Sequence, residues 1–354
     1  MTARIVVIGE SLVDVVLGAQ TVEHPGGSPL NIAYGLARLG RPVTLVTALG
    51  DDERGRSVAQ HVLDAGVEIH PSSFRHEPTS SATARLRDDG SADYTFDLRW
   101  SLPAPHELHL PEAALVHVGS LGVFLEPGGT TVVDLLRAAT ARGSAAPASG
   151  ARESGALASS DPASGDPASG DPASGESRPG IPLIAFDPNM RPSIVTDHAA
   201  AFARFEEVAA LTTVLKLSDE DAEWLYPGAT VDEAIDRILA LGPILVAVTR
   251  GGEGAVLATA ADRVAVPGRR VDVVDTIGAG DSFMSALLLG VAALLDEETT
   301  APDASRDPSA ARSAIGGAAL DAETITRLGD FAVRCAAITV SRAGANPPTL
   351  AEVS

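Results

Sequence analysis

The sequence has little of several residue types, and each shortage excludes a class of protein. Its one cysteine, Cys335, cannot form an internal disulfide and cannot hold a zinc ion alone. Its 26 basic residues are outnumbered by 47 acidic ones, and the resulting formal net charge of −21 opposes binding to nucleic acid. No apolar run reaches the roughly 18 residues that a membrane span requires.

The rest of the composition is typical of a globular protein with one large domain or two. Hydrophobic residues make up 45% of the 354 residues and charged residues 21%, which is enough apolar sequence for a substantial core. Residues 1–9 lead directly into a short apolar run without the features of a secretion signal, which predicts a cytoplasmic protein. The acidity predicts solubility, with no nucleic-acid or membrane partner.

Six apolar runs predict a parallel sheet. Each is rich in Val, Ile and Leu, is apolar on both faces and precedes a helical pattern, as buried parallel strands do. One of these helices would have Ser28 as its N-cap and Pro29 at its first position, and would end at Gly40. The runs are 5–9, 43–49, 115–119, 183–187, 214–217 and 244–249. The sequence therefore predicts an α/β fold with a doubly wound, mainly parallel sheet flanked by helices.

Two segments predict a second, smaller sheet. Residues 82–86 and 94–98 flank the polar stretch 88–91, a pattern typical of a hairpin. Together with residues 11–17 they could form a small antiparallel sheet that projects from the main one. Segments 11–27 and 78–102 are therefore candidates for a lid over a site, although a decorative hairpin at a sheet edge would have the same pattern.

Residues 143–180 interrupt the alternation of strands and helices with low-complexity sequence. The pentapeptide Asp-Pro-Ala-Ser-Gly occurs three times in succession between Asp161 and Gly175. Nothing in this segment can bury an apolar face, so we predict a disordered insertion, and residues 297–319 have a similar composition. Because the insertion lies in a surface connection between a helix and a strand, residues 1–354 are predicted to form a single domain.

The stretch 275–283 carries the strongest chemical signal. Small residues lead into a helix, which leaves the amides of Gly278, Ala279, Gly280 and Asp281 without intrahelical acceptors at the positive end of the helix dipole. Such amides form an anion site. A carboxylate beside an anion site needs a second role, so Asp281 could accept a proton from an attacking hydroxyl, or it could simply cap the helix.

Other nucleotide and hydrolase signatures do not match. The P-loop motif requires a lysine after its glycines, and Lys216, the only lysine in the chain, is not in such a loop. The dinucleotide fingerprint requires a third small residue where the bulky Phe283 follows Gly278 and Gly280. The Gly-x-Ser-x-Gly elbow of hydrolases is not matched at residues 9–13.

Residues 275–281 resemble the C-terminal signature of the ribokinase-like (PfkB) carbohydrate kinases. Residues 25–33, Pro-Gly-Gly-Ser-Pro-Leu-Asn-Ile-Ala, resemble the N-terminal signature of the same family. The two signatures stand in the family's order, and the resemblance covers nearly the whole chain outside the insertion. It implies a ribokinase-like fold with a small β lid, and transfer of the γ-phosphoryl group of ATP to a sugar hydroxyl. It also implies Mg²⁺ that arrives with ATP, and suggests a K⁺ ion.

The resemblance also assigns roles to individual residues. It makes Asp281 the catalytic base beside an anion hole formed by the amides of Gly278, Ala279 and Gly280. The residues that would bind sugar hydroxyls are Asp14, Gly26, Gly27 and Asn31. The nucleotide would lie near Thr249, Gly251 and Gly252. The K⁺ ion would be held by Asp275, by the Ile277 carbonyl and by backbone carbonyls of a loop from Thr339 to Gly344.

One motif of the family is altered in this sequence. The family's Asn-x-x-Glu, which supports the magnesium and phosphate region, is replaced by Ser218 and Asp221. Asp221 keeps a carboxylate on a shorter side chain. Together with Lys216, which stands two residues before Ser218, it is a candidate for binding the nucleotide and its metal.

The run 187–191 bears on the choice of sugar. Its Asp-x-Asn-x-Arg pattern resembles the fructokinase and 2-keto-3-deoxygluconate kinase branches, and Arg191 could bind a sugar carboxylate or an ATP phosphate. The form of the N-terminal signature favours fructose, with 2-keto-3-deoxygluconate or ribose as alternatives. A non-catalytic sugar or nucleotide sensor is disfavoured by the intact Asp281, and a nicotinamide oxidoreductase by the missing fingerprint. The edge of a lid could also pair across a homodimer.

Overall fold

The computed structural model describes residues 4–18, 20–86, 92–144, 182–299 and 320–354. The strands are β1 (Ile5–Ile8), β2 (Leu12–Leu17), β3 (Thr21–Gly26), β4 (Val43–Val46), β5 (Leu49–Gly50), β6 (Glu68–Ile69), β7 (Phe74–Arg75), β8 (Ser81–Leu86), β9 (Ala92–Asp97), β10 (Leu115–Gly119), β11 (Leu183–Asp187), β12 (Val214–Ser218), β13 (Leu245–Thr249), β14 (Gly254–Ala258) and β15 (Arg263–Pro267). The helices are α1 (Ser28–Arg38), α2 (Glu53–Asp64), α3 (Leu121–Phe124), α4 (Gly128–Ser144), α5 (His198–Ala209), α6 (Asp219–Leu225), α7 (Val231–Leu241), α8 (Ala279–Thr299), α9 (Ala322–Val340) and α10 (Leu350–Val353). The predicted turn at 88–91 and most of the predicted loose segments 143–180 and 297–319 lie outside the described residues.

The central sheet has nine strands in the order β15-β14-β13-β12-β11-β10-β1-β4-β6. Neighbours from β13 to β6 in this order pair in parallel, whereas β14 and β15 are antiparallel additions at one edge. Alternate residues of β1 enter different hydrophobic cores, Val7 on one face of the sheet and Ile8 on the other. The predicted doubly wound, mainly parallel sheet is therefore confirmed. The run 43–49 is split, because β5 leaves this sheet to pair with β7.

The smaller sheet has the order β3-β2-β8-β9. The predicted hairpin is present as the antiparallel pair of β8 and β9, and β3 forms a second hairpin with β2. The prediction of an all-antiparallel sheet is wrong at its centre, where β2 and β8 are parallel. Strands joined by a short turn reverse direction, whereas β2 and β8 each begin a hairpin and run in the same direction.

Helix α1 begins one residue earlier than predicted. Gly27, with a φ of 108°, is the N-cap, and Ser28 is the first helical residue, so the assignment of Ser28 as the cap is wrong. The side chain of Ser28 is used elsewhere, because its hydroxyl donates a hydrogen bond to Asp281 on α8. Pro29 occupies the first turn of the helix, where its missing amide hydrogen leaves no helical bond unmade.

Helix α8 packs against α1 and α9 on one face of the central sheet. In the described part of the chain, it is the one helix whose length and composition would allow it to cross a membrane. However, 56% of that stretch is buried inside the protein, as expected for the central helix of an α/β core. This packing brings the first residues of α8 to the edge of the sheet where the parallel strands end.

Candidate active site

A cavity of about 1330 Å³ lies beyond the carboxyl ends of β1 and β10 to β13. Doubly wound sheets bind their ligands at this edge. The cavity is lined by all of the sequence-predicted site residues except Gly26, Asp275, Thr339 and Gly344. Residues that were predicted from segments more than two hundred positions apart in the chain therefore meet in one cleft.

Asp281, at the start of α8, is held by two side chains of α1. The Ser28 hydroxyl donates to Oδ1 at 2.6 Å, and the Asn31 side-chain amide donates to Oδ2 at 2.8 Å. These bonds lead to another helix and not to the amides of α8 itself, so they do not cap the helix. They orient a carboxylate that is half-buried and lines the cavity. Asn31, which was predicted to contact the sugar, is engaged with the predicted base.

The backbone before Asp281 has the geometry of an anion site. The first hydrogen bond of α8 runs from the Ser282 amide to the Gly278 carbonyl at 2.8 Å. The amides of the residues before Ser282 therefore precede the series of hydrogen bonds within the helix. The Ala279 amide makes a longer contact of 3.3 Å with the Thr276 carbonyl. Gly278 has a φ of 75°, and a Cβ there would lie 2.7 Å from the Cβ of Ala345, so this turn requires glycine.

A buried ion pair lies next to this turn. The Lys216 ammonium is 2.9 Å from Oδ2 of Asp187, and the two residues are 4% and 1% exposed. A Cβ on Gly280 would lie only 2.9 Å from Lys216 Nζ, so glycine allows the ammonium to approach the start of α8. Burial disfavours the charge of Lys216, but Asp187, Asp221 and Asp281 together raise its pKa. Burial raises the pKa of Asp187, and the charge and hydrogen bond of Lys216 oppose that rise.

Asp275 joins the turn before α8 to the segment after α9. Its Oδ1 accepts the Ile277 amide at 3.0 Å, and its Oδ2 accepts the Gly344 amide at 2.9 Å. The Ile277 amide is the main cause of a lowered pKa at Asp275, with the Gly344 amide contributing. The structure therefore brings three of the residues predicted for the K⁺ site together, although both carboxylate oxygens already accept hydrogen bonds.

Thr339, the fourth residue predicted for that site, is not in a loop. It lies in the last turn of α9, where its hydroxyl donates to the Cys335 carbonyl at 3.0 Å. Its own carbonyl accepts the Arg342 amide at 3.0 Å. The loop prediction is wrong at this end because α9 continues to Val340, and the loop begins at Ser341.

Ser218 and Asp221, which replace the family's Asn-x-x-Glu, form a capping box at the start of α6. The Ser218 hydroxyl accepts the Asp221 amide, and Asp221 Oδ2 accepts the Ser218 amide. The other oxygen of Asp221 accepts the Met190 amide at 2.8 Å and so fixes the segment that carries Arg191. The observed contacts of Asp221 are structural, and its role toward the nucleotide stays a prediction.

The other end of the cavity has space and apolar surface. Thr249, Gly251 and Gly252 line it, and a Cβ on either glycine would meet no atom within 4 Å. Val273 and Ile277, which also line the cavity, are 63% and 58% exposed. Such side chains suit a flat aromatic base, whose polar edges can remain in water.

Asp14 belongs to the smaller sheet, in the segment 11–17 that was predicted to take part in it. It lies in β2, opposite His24 of β3. A Cβ on Gly26 would lie 2.2 Å from its Oδ2, so glycine is required for this carboxylate to reach its position. Desolvation raises the pKa of Asp14, against the opposing charges of His24 and Arg191. Gly27 lies against the backbone of residues 10 and 11.

Several residues of this site were missed by the sequence analysis. Glu10 is buried at the end of β1 and lines the cavity, and its Oε2 accepts the Gly122 amide at 2.7 Å. Asp187 was predicted only as part of the run that bears on the choice of sugar, and its ion pair with Lys216 was not predicted. Ser28 was misread as a cap. An acidic residue directly after a buried strand was the one available signal for Glu10.

Comparison with known proteins agrees with this geometry. Residues 2–149 and 182–352 match the model of the pfkB family carbohydrate kinases. The chain is 28% identical to a fructokinase of Rhizobium leguminosarum bv. trifolii over 292 residues, which cover 79% of this chain and 77% of the relative.

Two solved structures share the fold. A fructokinase from Xylella fastidiosa with bound ATP superposes with a TM-score of 0.73 at 22% identity and covers 100% of this chain and 97% of its own. A fructokinase double mutant from Vibrio cholerae O395 in the form bound to fructose, ADP and potassium ion gives a TM-score of 0.70 at 20% identity, with coverage of 97% and 94%. The family match spans most of the chain on both sides of the predicted insertion, and the protein belongs to the pfkB family of ATP-dependent carbohydrate kinases.

Proposed function

We propose that this protein transfers the γ-phosphoryl group of ATP to fructose. The observation that carries the proposal is the position of Asp281. Its carboxylate is oriented by Ser28 and Asn31, lines the cavity and stands at the start of α8, where amides precede the helical ladder. A base and an anion site in one place are what phosphoryl transfer to a hydroxyl requires.

In this mechanism Asp281 accepts the proton of the attacking sugar hydroxyl. ATP supplies the phosphoryl group, and Mg²⁺ would accompany its phosphates. The amides of Gly278, Ala279 and Gly280 donate hydrogen bonds to the phosphoryl oxygens as negative charge develops on them.

Lys216 resolves the conflict between a carboxylate base and an anionic substrate. Its ammonium lies against Gly280 and within electrostatic range of Asp281. Because Asp187 holds the ammonium in place at 2.9 Å, its charge is fixed at the junction of the base and the anion site. This positive charge offsets the repulsion between Asp281 and the incoming phosphates.

The charges of the sugar end favour a neutral sugar over an acid sugar. Arg191 lies within electrostatic range of both Glu10 and Asp14. These two carboxylates would repel the carboxylate of 2-keto-3-deoxygluconate, whereas they can accept hydrogen bonds from the hydroxyls of fructose. The relatives named fructokinase support the same choice.

We also propose a K⁺ ion beside the turn 275–277. Asp275, the Ile277 carbonyl and the carbonyls of the segment that ends at Gly344 are the oxygen ligands that a hard monovalent cation prefers. Asp275 already links the two segments through the Ile277 and Gly344 amides. A bound cation would hold the start of α8 in the arrangement that presents its amides. We also propose that the protein acts in the cytoplasm and that the smaller sheet, the predicted lid, forms the interface of a homodimer.

The test is an ADP-release assay with Mg-ATP and K⁺ over fructose, 2-keto-3-deoxygluconate and ribose. We expect turnover of fructose that is lost in Asp281→Asn. Turnover of 2-keto-3-deoxygluconate alone would refute the choice of sugar and retain the mechanism. ATP binding without turnover of any sugar would favour a sensor. Omitting K⁺ in a Na⁺ buffer tests the cation, because the KM for ATP should then rise.

A further inference from the structure

Glu10 takes no part in the phosphoryl transfer itself, but its position in the cavity bears on which sugar is bound. Glu10 follows β1, is 5% exposed and lines the cavity. Its Oε2 accepts the amide of Gly122, whose carbonyl accepts the Trp100 indole nitrogen at 2.8 Å. Both polar backbone groups of Gly122 are therefore engaged, and the side chain of Glu10 is fixed from the side of β10 and α3.

The contact with Gly122 does not by itself explain a carboxylate. Any neutral acceptor, such as a glutamine amide oxygen, could receive this hydrogen bond, and it would not have to be desolvated as an ion. Burial raises the pKa of Glu10 to about 7, against the opposing effects of its bonds with its own backbone amide, with Ser120 and with Gly122, and of the Arg191 charge. A buried ionisable group beside a cavity indicates that the cavity's ligand uses it.

The wall around Glu10 is also polar and conformationally restrained. Ser120 and Asn189 follow the neighbouring strands β10 and β11 and line the cavity, and both are non-glycine residues with positive φ values of 53° and 39°. The Asn189 side-chain amide is 3.5 Å from the Ser120 hydroxyl. Residues held in such conformations cluster at ligand sites because the surrounding structure must fix them.

Glu10 and Asp281 approach the cavity from opposite faces of the central sheet. Asp281 begins α8, which packs in the core that contains Val7. Glu10 contacts the start of α3, whose Val123 belongs to the core on the other face. A sugar with its reacting hydroxyl at Asp281 therefore presents other hydroxyls to the wall formed by Glu10, Ser120 and Asn189.

We propose that Glu10 is a specificity-determining residue that accepts a hydrogen bond from a secondary ring hydroxyl of the sugar. The inference rests on the proposed function. The Gly122 amide holds the carboxylate in place, so an epimer that points this hydroxyl elsewhere loses the hydrogen bond. Hydrogen bonds to charged groups are strong enough to discriminate about 10- to 100-fold between such sugars.

The test compares wild type, Glu10→Gln and the control Glu112→Gln, which alters an exposed carboxylate before β10. The sugars are fructose and its epimers at C3, C4 and C5. We expect wild type to prefer fructose over one epimer by about 10- to 100-fold in kcat/KM, and Glu10→Gln to lose most of that preference. The other two preferences and the KM for ATP should stay unchanged in both variants.

A uniform loss for all four sugars in Glu10→Gln, or no loss, would overturn the assignment and leave Glu10 as a support for Gly122. No turnover of fructose by wild type would instead refute the proposed function, and this assignment with it.

If Glu10→Gln does not fold, the pH dependence of the wild-type enzyme provides the test. The preference for fructose over the sensitive epimer should rise from about pH 6 to about pH 8 as Glu10 ionises. The effects of Asp14, Arg191 and Asp281 are the same for both sugars, so they cancel in the ratio of the two kcat/KM values. A ratio that stays constant as the pH changes would therefore overturn the proposal.

Discussion

At the phosphoryl end of the cleft, four consecutive residues from Gly278 to Asp281 supply the turn, the amides and the carboxylate. At the sugar end, the polar groups come one at a time from the ends of β1, β10 and β11 and from β2 of the smaller sheet. The first site is local, so its glycines and aspartate can be recognised as a motif. The second exists only after the sheet has formed, because its members are neighbours in space and not in sequence. The charged groups also differ, since the phosphoryl end has the buried pair of Lys216 and Asp187 beside Asp281, whereas the sugar end has Glu10 and Asp14 within range of Arg191.

The largest expected effect tests the local end. Asp281→Asn should lower turnover by about 10²- to 10⁴-fold, because the amide cannot accept the hydroxyl proton. The KM for ATP should change little, since the amides of Gly278 and Gly280 remain. Steady-state kinetics with the control Asp272→Asn, an exposed carboxylate in the preceding loop, provide the measurement. Wild-type turnover in Asp281→Asn would refute its role as the base.

The second prediction concerns the ion pair beneath that end. Lys216→Met leaves the Asp187 carboxylate buried without its partner, and the free energy of unfolding should fall by about 3–5 kcal/mol. Urea denaturation measures the loss, and the double variant with Asp187→Asn should recover much of it. Turnover should stay low in the double variant, since the ammonium near Gly280 is missing. A double variant with full turnover would show that the pair serves stability alone.

The third prediction tests the assembled end through Glu10. Its pKa is about 7 in the folded protein and 4.5 as its ordinary value, so between these pH values the folded state keeps a proton that the unfolded state has lost. Wild type therefore loses up to about 3 kcal/mol of stability as pH rises across this window, whereas Glu10→Gln does not. Denaturation at pH 5 and at pH 8 should show that the free energy of unfolding of Glu10→Gln increases relative to that of wild type as the pH rises. A pH-independent difference would contradict the burial of an ionisable Glu10.

The smallest expected effect is on sugar binding alone. Gly26→Ala places a Cβ 2.2 Å from Asp14 Oδ2, so the carboxylate must move and the KM for the sugar should rise about 10-fold. The KM for ATP should not change. Gly66→Ala is the control, because its added Cβ would meet no atom within 4 Å. It tests only the cost of alanine at a position with a φ of 91°. A similar rise in both variants would point to a general loss of stability.

The contrast also explains what could be predicted from the sequence. The parallel strands were predictable because burial on both faces makes each of them a continuous apolar run. Short strands such as β5 and β7 were not, since two residues carry no periodicity. Asp281 was identified from its motif, but Ser28 was misread because serine before proline is also the pattern of an N-cap. The partnership of Lys216 with Asp187 depends on the pairing of β11 with β12, which no local pattern reports.

The burial of Lys216 has a consequence for chemical labelling. It is the only lysine among the 354 residues, and it is 4% exposed. In the folded protein, reagents that acylate side-chain amines have no exposed lysine to react with. Acylation of Lys216, read by mass spectrometry, would therefore report opening of the cleft near α8, in a protein whose other side chains carry no competing amine.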